Sequence, residues 1–322
     1  MQFNRIVVGI DFSANSLAAS RWVAHHFAPD ADVVLVHVVA PPDVLSLPRR
    51  YTPRTLDELR VFRPQEQGGL RGLGTLLGAS RTSTETLSGD PAEVLGWVAA
   101  DVGADLICVG SGPHRHGSAR FGATTPHRLI ARTEVPVLVT PRVPHGAPSR
   151  ILVPFDDRSS GRRVLQAAAR LAAAYEAALD ALYVIETDTR PPASRKSEER
   201  NLQSFVRAQR WAAGVVDELQ LPTGRTASFV QPGDAGEQTV SHARRSDSSL
   251  IVMGTGERTS ALRGDKHARH VGSTTRFVIW AAPCPVLAVP PAVVTTTERV
   301  RPALGLGSAK EQLRHDDSLA QV

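Results

Sequence analysis

Two segments in the last third of the chain combine glycines with hydroxyl side chains. A short apolar run predicts a strand buried on both faces, and this strand ends at a turn containing Gly254 and Gly256. Gly272, Ser273 and Thr274 then precede residues with the apolar spacing of a helix. Unpaired amides at a helix N-terminus, the helix dipole and adjacent hydroxyls all favour an anion. The two segments together predict a phosphate-binding site.

The same arrangement occurs in the first half of the chain. An apolar run leads to Gly110 and Gly112, and Gly122 and Thr124 stand just before a predicted helix. Pro126 falls at the first helical position, where its missing N–H costs nothing. The chain therefore contains the motif twice.

A nearly constant offset relates the two copies. Asp11 and Asp156 follow matching apolar strands and lie 145 residues apart, and Gly110 lies 144 residues before Gly254. The loop that precedes Gly272 is about six residues longer than its counterpart in the first copy. An offset maintained through unlike elements indicates an internal duplication.

Each copy alternates strands with helices, which predicts an α/β protein made of two doubly wound five-stranded parallel sheets. We expect domains at 1–146 and 147–291 and a disordered tail at 292–322. Segment 41–80 has prolines and glycines at both ends, so we predict a loop with at most one irregular helix. Ligands of such sheets bind at the carboxyl ends of the strands, where both aspartates fall.

The last strand of each copy, at 135–140 and 285–289, is an apolar edge. Such edges invite pairing, so we expect the copies to pack as an internal pseudo-dimer through these strands. Dimerisation of whole chains and a protein partner are further hypotheses.

Composition argues against several functional classes. The 322 residues carry a formal charge of +5, and no dense basic run with interleaved aromatics occurs, so nucleic-acid binding is not predicted. No apolar run approaches the roughly 18 residues of a membrane span, and the N-terminus lacks a signal-peptide pattern. The two cysteines, Cys108 and Cys284, stand in strand-like contexts without CxxC spacing, which favours small core residues in a reducing compartment. We expect a cytoplasmic protein.

Four motifs in combination resemble those of a known family. They are an apolar strand followed by Asp, any residue and Ser; the letters HVV in the second strand; Gly-Asp after the third strand; and a glycine loop followed by VPVLV or CPVLAV. Both halves resemble the universal stress protein family, and the whole chain is similar to its tandem two-domain members. The resemblance implies the adenine nucleotide alpha hydrolase-like fold with strand order 3-2-1-4-5 in each half.

The resemblance also implies a site in each half. In nucleotide-binding members the aspartate after the first strand contacts the nucleoside, the end of the second strand contacts adenine, and the glycine loop holds the phosphates. By similarity, the nucleoside contacts are Asp11 and Asp156; the adenine edge is Val38 or Val39, and Ile185; and the phosphate contacts are Gly110, Gly112, Gly122, Thr124, Gly254, Gly256, Gly272, Ser273 and Thr274. The implied ligand is ATP or another adenine nucleotide, with Mg²⁺ on its phosphates.

The chain departs from the family pattern, so alternatives stay open. Both loops read G-x-G instead of G-x-x-G, and Ala123 replaces a hydroxyl in the first half. Each aspartate is equally well explained as a helix cap, and the glycines as tight turns. The loop at 113–116 carries His114, Arg115 and His116, which meet a phosphate or a bound metal or are solvated. The basic residues of the loop at 257–271 either attract an anion or are solvated.

The favoured function is a stress-response protein that binds adenine nucleotide and acts through its bound state. No G-x-x-x-x-G-K-[ST] motif occurs, so fast hydrolysis is not predicted. The alternatives are a nucleotide-free scaffold and a slow ATP hydrolase.

Overall fold

A computed structural model describes residues 3–39, 56–78, 81–111, 124–141, 143, 145–186, 195–219, 225–256 and 271–291. Within these residues the strands are β1 (Arg5–Gly9), β2 (Asp32–Val39), β3 (Thr82–Ser88), β4 (Leu106–Gly110), β5 (Val137–Thr140), β6 (Arg150–Phe155), β7 (Ala178–Ile185), β8 (Thr226–Pro232), β9 (Leu250–Gly254) and β10 (Val286–Val289). The α-helices are α1 (Ala14–Trp22), α2 (Pro64–Gly78), α3 (Pro91–Asp101), α4 (Thr125–Arg132), α5 (Ser159–Tyr175), α6 (Arg195–Asp217), α7 (Ala235–Arg245) and α8 (Ser273–Ala281). None of the helices in the described part is long and apolar enough to cross a membrane.

All ten strands form one continuous sheet in the order β3-β2-β1-β4-β5-β10-β9-β6-β7-β8. Neighbouring strands are parallel except at the centre, where β5 and β10 pair antiparallel with Val139 opposite Val286. This pairing confirms that the two apolar edge strands join the halves. The expectation of two sheets needs refinement, because the joint merges them into one.

Helices cover both faces of the sheet. One face packs against α1, α2, α5 and α6, and the other against α3, α4, α7 and α8. In β1, Ile6 and Val8 face the first layer and Val7 faces the second, and all three are fully buried. Burial on both faces explains why the central strands are continuous apolar runs and do not alternate.

Aromatic contacts also hold the halves together on the α1 and α5 side. The hydroxyl of Tyr175 in the second half donates a hydrogen bond to the carbonyl of Phe27 in the first, and the two rings lie 5.8 Å apart between centroids. The Trp22 indole donates to the carbonyl of Gly146, which lies in the connection between the halves, at 2.8 Å. The joint thus combines main-chain pairing with packed aromatic rings.

The prediction for segment 41–80 was wrong over α2. Residues 64–78 form a regular 15-residue helix, although five of them are glycine. Leu70, Leu73 and Leu77 supply the buried stripe, and tertiary packing of this stripe outweighs the low helix propensity of glycine. At Gly74 a Cβ would lie 3.3 Å from Thr82, so the missing side chain lets the helix approach β3 closely. Residues 40–55 lie outside the described part.

The Gly-Asp motif after the third strand of each half is explained by helix capping. Gly89 and Gly233 have φ of +144° and +129°, where a side chain would be strained. Asp90 and Asp234 follow as the N-caps of α3 and α7. The Asp90 carboxylate accepts from two amides of the first turn, and the Asp234 carboxylate accepts from one. This family motif therefore begins a helix in each half.

Both cysteines are expected to be inert to a thiol-specific reagent in the native protein. Burial raises the pKa of Cys108 and of Cys284 to about 12, so almost no thiolate exists at pH 8. The reaction is followed by the absorbance of the product that the reagent releases. We expect no reaction in buffer and two reactive thiols per chain in denaturant. Rapid labelling of either cysteine in buffer would show that its strand opens.

Candidate functional site

In the first half, the residues directly after β1 form a tight turn. We name residues 11–13, and 156–158 in the second half, the aspartate turns. The Asp11 carboxylate accepts a hydrogen bond from the Ser13 amide at 2.9 Å, and the Ser13 hydroxyl caps α1 by accepting from the Ser16 amide at 3.2 Å. Burial alone would raise the pKa of Asp11, but hydrogen bonds from Ser13 and Ser16 outweigh it and hold the pKa below its ordinary value. Asp11 is therefore a stably ionised carboxylate, and Ser13 is the N-cap.

The second aspartate turn is built differently. Arg158 takes the place of Ser13, and its amide lies 3.3 Å from the Asp156 carboxylate. Its guanidinium Nε is also 3.7 Å from the same carboxylate, and both side chains are about half exposed or more. Asp156 therefore has a neighbouring cation, whereas the part of the chain that the structure describes shows no ion pair to Asp11.

The predicted adenine-edge residues end β2 and β7. The carbonyl of Val39 accepts from the Gly89 amide at 3.1 Å, and the carbonyl of Ile185 accepts from the Gly233 amide at 3.0 Å. Val38 packs against the α3 and α4 layer. Each of these carbonyls accepts one main-chain hydrogen bond and keeps a second lone pair that could accept from an adenine amino group.

Gly110, predicted to contact phosphate, is required by packing. A Cβ there would lie 2.7 Å from the amide nitrogen of Ser16, because the first turn of α1 rests on this glycine. The side-chain amide of Asn15 also donates a hydrogen bond to the carbonyl of Ser111 at 2.6 Å. The end of β4 is thus covered by α1 in the first half.

The other first-half phosphate residues are only partly described. Gly112 and Gly122 lie outside the described residues. Thr124 is the N-cap of α4, but its hydroxyl is hydrogen-bonded to Nδ1 of His127 at 2.5 Å and does not cap the helix amides. The described residues therefore do not test the phosphate site of the first half, which stays a prediction.

In the second half, the glycine turn and the start of α8 lie against each other. The Gly272 amide donates to the carbonyl of Thr255 at 3.4 Å, and the Thr275 hydroxyl donates to the carbonyl of Gly254 at 2.9 Å. Gly256 has φ of +90°, which suits glycine and turns the chain sharply. The structure thus brings together the two segments that the sequence paired.

Among the described residues, no side chain caps the amino end of α8. Gly272 is the N-cap and has no side chain to occupy the first-turn amides. Ser273 is exposed and Thr274 half-buried, so both hydroxyls are available beside those amides. This helix start has the donor set that the sequence predicted for a phosphate.

A small cavity lies on the α5 side of the same turn. It measures ≈ 20 Å³ and is lined by Val164, Gly254, Val289 and other residues. That volume suits about one water molecule.

Sequence reasoning missed an aromatic residue at each aspartate turn. The ring of Phe12 lies 4.8 Å from that of His37 on β2, whose Nδ1 is hydrogen-bonded to the carbonyl of Ile10. In the second half, Tyr183 on β7 packs edge-on against Trp211 at 4.9 Å. For Phe12, the sequence signal was a bulky apolar residue between Asp11 and Ser13 in a polar loop.

Comparison with known proteins decides the family. The universal stress protein family model matches the chain twice, over residues 2–141 and 148–290. The chain belongs to the universal stress protein family. It is a tandem two-domain universal stress protein, as the two matches and the duplicated fold require.

Solved structures agree with this fold. A universal stress protein from Archaeoglobus fulgidus is 17% identical, with 89% of this chain and 96% of that chain covered and a TM-score of 0.59. A functionally unknown protein from Pseudomonas aeruginosa is 15% identical, with 91% and 94% covered and a TM-score of 0.62. At these identities the comparison establishes the architecture. No curated protein matches the chain significantly.

Proposed function

We propose that this universal stress protein binds ATP or another adenine nucleotide in at least one half and acts in the stress response through its bound state. The observation that carries the proposal is the second-half pairing of a glycine turn with an uncapped helix start. Family membership supports it, because nucleotide-binding members use the corresponding residues.

The amino end of α8 would hold the phosphates. First-turn amides, the Ser273 and Thr274 hydroxyls and the positive end of the helix dipole favour a polyanion. Asp156 would face the ribose hydroxyls, and Mg²⁺ would enter on the phosphates of ATP. Within the described residues, no group of three His, Cys, Asp or Glu side chains is arranged to hold a metal by itself.

A glutamate at position 273 should test the phosphate contact. Ser273→Glu places a negative charge beside the bound phosphates, while a glutamate in the first helical turn favours the helix itself. We expect ATP affinity to fall at least about tenfold, which corresponds to about 1.4 kcal/mol, with adenosine affinity unchanged. Isothermal titration of both ligands into both proteins measures this.

Ser204→Glu, on the exposed face of α6, is the matched control and should bind ATP as the wild-type does. Equal ATP affinity in Ser273→Glu and wild-type would exclude α8 as the phosphate site. Phosphate release from the ATP complex would instead favour the slow hydrolase.

A nucleotide-free scaffold is the second candidate function. It is favoured by Gly110, whose missing side chain is used by α1 packing and not by a ligand. Absence of heat on titration of wild-type protein with ATP would select this candidate.

A further inference from the structure

Phe12, at the centre of the first aspartate turn, has an unusual backbone conformation. Its φ is +58°, in the left-handed region that residues with large side chains rarely adopt. Its ring packs on His37, and a Cβ added to Gly69 of α2 would lie only 3.0 Å from that ring. The ring is therefore docked in a space that the absence of a side chain at Gly69 leaves open.

In the second half, a helix supplies the equivalent ring. Trp211 in α6 corresponds to Gly69 in α2, because each comes directly before a buried residue, Ala212 or Leu70. Its ring lies 4.9 Å from Tyr183, the β7 residue at the position of His37 in β2, and 5.7 Å from Phe155. Both halves thus place an aromatic ring over the ends of their first two strands, from the turn in one half and from the helix in the other.

The two aspartate turns differ in backbone conformation and in the length of the hydrogen bond that closes them. Asp157, the counterpart of Phe12, is not among the described residues with positive φ. The hydrogen bond that closes the turn is 3.3 Å long at Asp156, against 2.9 Å at Asp11. A docked ring at the central residue therefore accompanies the left-handed conformation and the tighter turn.

We propose that Phe12 is a positioning residue, whose docked ring holds the first aspartate turn closed and so fixes the Asp11 carboxylate for hydrogen bonding to the hydroxyls of a nucleoside. The nucleoside part rests on the proposed function. Without the docked ring, residue 12 relaxes from the left-handed conformation and Asp11 loses its partners.

Transplanting the second-half arrangement separates positioning from space filling. The double variant Phe12→Ala with Gly69→Trp restores a ring over the strand ends but takes it from α2, and it adds no charge beside Asp11. Phe12→Ala removes the ring, and Phe12→Tyr is the conservative control. All are made with Ser273→Glu, which weakens ATP binding in the second half, so that the titration reports mainly on the first half.

We expect the double variant to recover the thermal stability that Phe12→Ala loses, yet to bind ATP at least tenfold more weakly than the parent. Phe12→Tyr should bind as the parent does. Titration of the Asp11 carboxyl by NMR supplies a readout independent of nucleotide. Its pKa should rise towards the ordinary value in the double variant, because the hydrogen bonds that lower it are lost.

An unchanged Asp11 titration in the double variant overturns the proposal, as does parental ATP affinity in that variant. If the parent binds no ATP, the proposed nucleotide site of the first half fails, and the Asp11 titration alone decides whether Phe12 positions the carboxylate. The two failures are therefore distinguishable.

Discussion

Replacing Asp180 by alanine is expected to lower the free energy of unfolding by about 3 kcal/mol. Asp180 lies on β7 with its side chain only 2% exposed. Its carboxylate contacts Arg150 Nη1 at 3.1 Å and His242 Nε2 on α7 at 3.3 Å. The substitution leaves a buried imidazole group without its partner, which costs about 1–3 kcal/mol, and the lost side-chain volume adds to this cost.

The first half supplies the matched control for this network. At the positions of Asp180, Gln231 and His242, it carries the buried residues Val34, Leu87 and Val98. Copying that apolar trio into the second half removes Asp180, His242 and Gln231, whose side-chain amide lies 3.1 Å from His242 Nδ1, and leaves only the part-exposed Arg150. The triple variant should therefore unfold within about 1 kcal/mol of wild-type or above it, because well-packed apolar residues often replace buried charged networks without loss.

Urea unfolding followed by circular dichroism measures both changes. A triple variant as unstable as Asp180→Ala would show that the second half needs its polar network. An Asp180→Ala protein with wild-type stability would show that water or a rearranged side chain replaces the carboxylate.

Gly110→Ala should destabilise the first half by about 2–3 kcal/mol. The new Cβ would lie 2.7 Å from the amide nitrogen and 2.9 Å from the Cα of Ser16, so the main chain of α1 must move. Overpacking of this kind typically costs about 1–3 kcal/mol. Because α1 follows the first aspartate turn directly, the shift also displaces Asp11.

Gly254→Ala, at the matching position of the second half, is the control. There, among the described residues, the Cβ would meet only the Cγ2 methyl of Val164 at 3.2 Å, and a side chain can adjust where main chain cannot. Thermal unfolding should give a clearly lower midpoint for Gly110→Ala than for Gly254→Ala. Equal midpoints would mean that α1 yields as easily as a side chain.

Most of the fold was predictable from the sequence because its signals are local. Apolar runs buried on both faces identified the strands, and the constant offset identified the duplication. Helix α2 was predicted as at most an irregular helix, because its glycines oppose helix formation in isolation. These glycines instead allow close approach to β3 and to Phe12. Such a gain depends on tertiary contacts that a local pattern does not contain.

The candidate site was predicted less completely. The pairing of Gly254 with the start of α8 followed from the motif and is present in the structure. The burial of Gly110 under α1 could not be predicted. A glycine at a turn gives the same sequence signal whether a helix or a ligand packs against it. The left-handed conformation of Phe12 could not be predicted either, since it depends on the missing side chain at Gly69, which is distant in sequence.

The antiparallel pairing of β5 with β10 has a consequence for how the halves evolve. Every strand of the second half runs against those of the first, so the carboxyl ends of the two sets, with their crevices, open at opposite rims of the sheet. A single bound molecule cannot bridge them. In a symmetric dimer each mutation would alter both crevices, whereas here one rim can lose or change its ligand while the other is preserved.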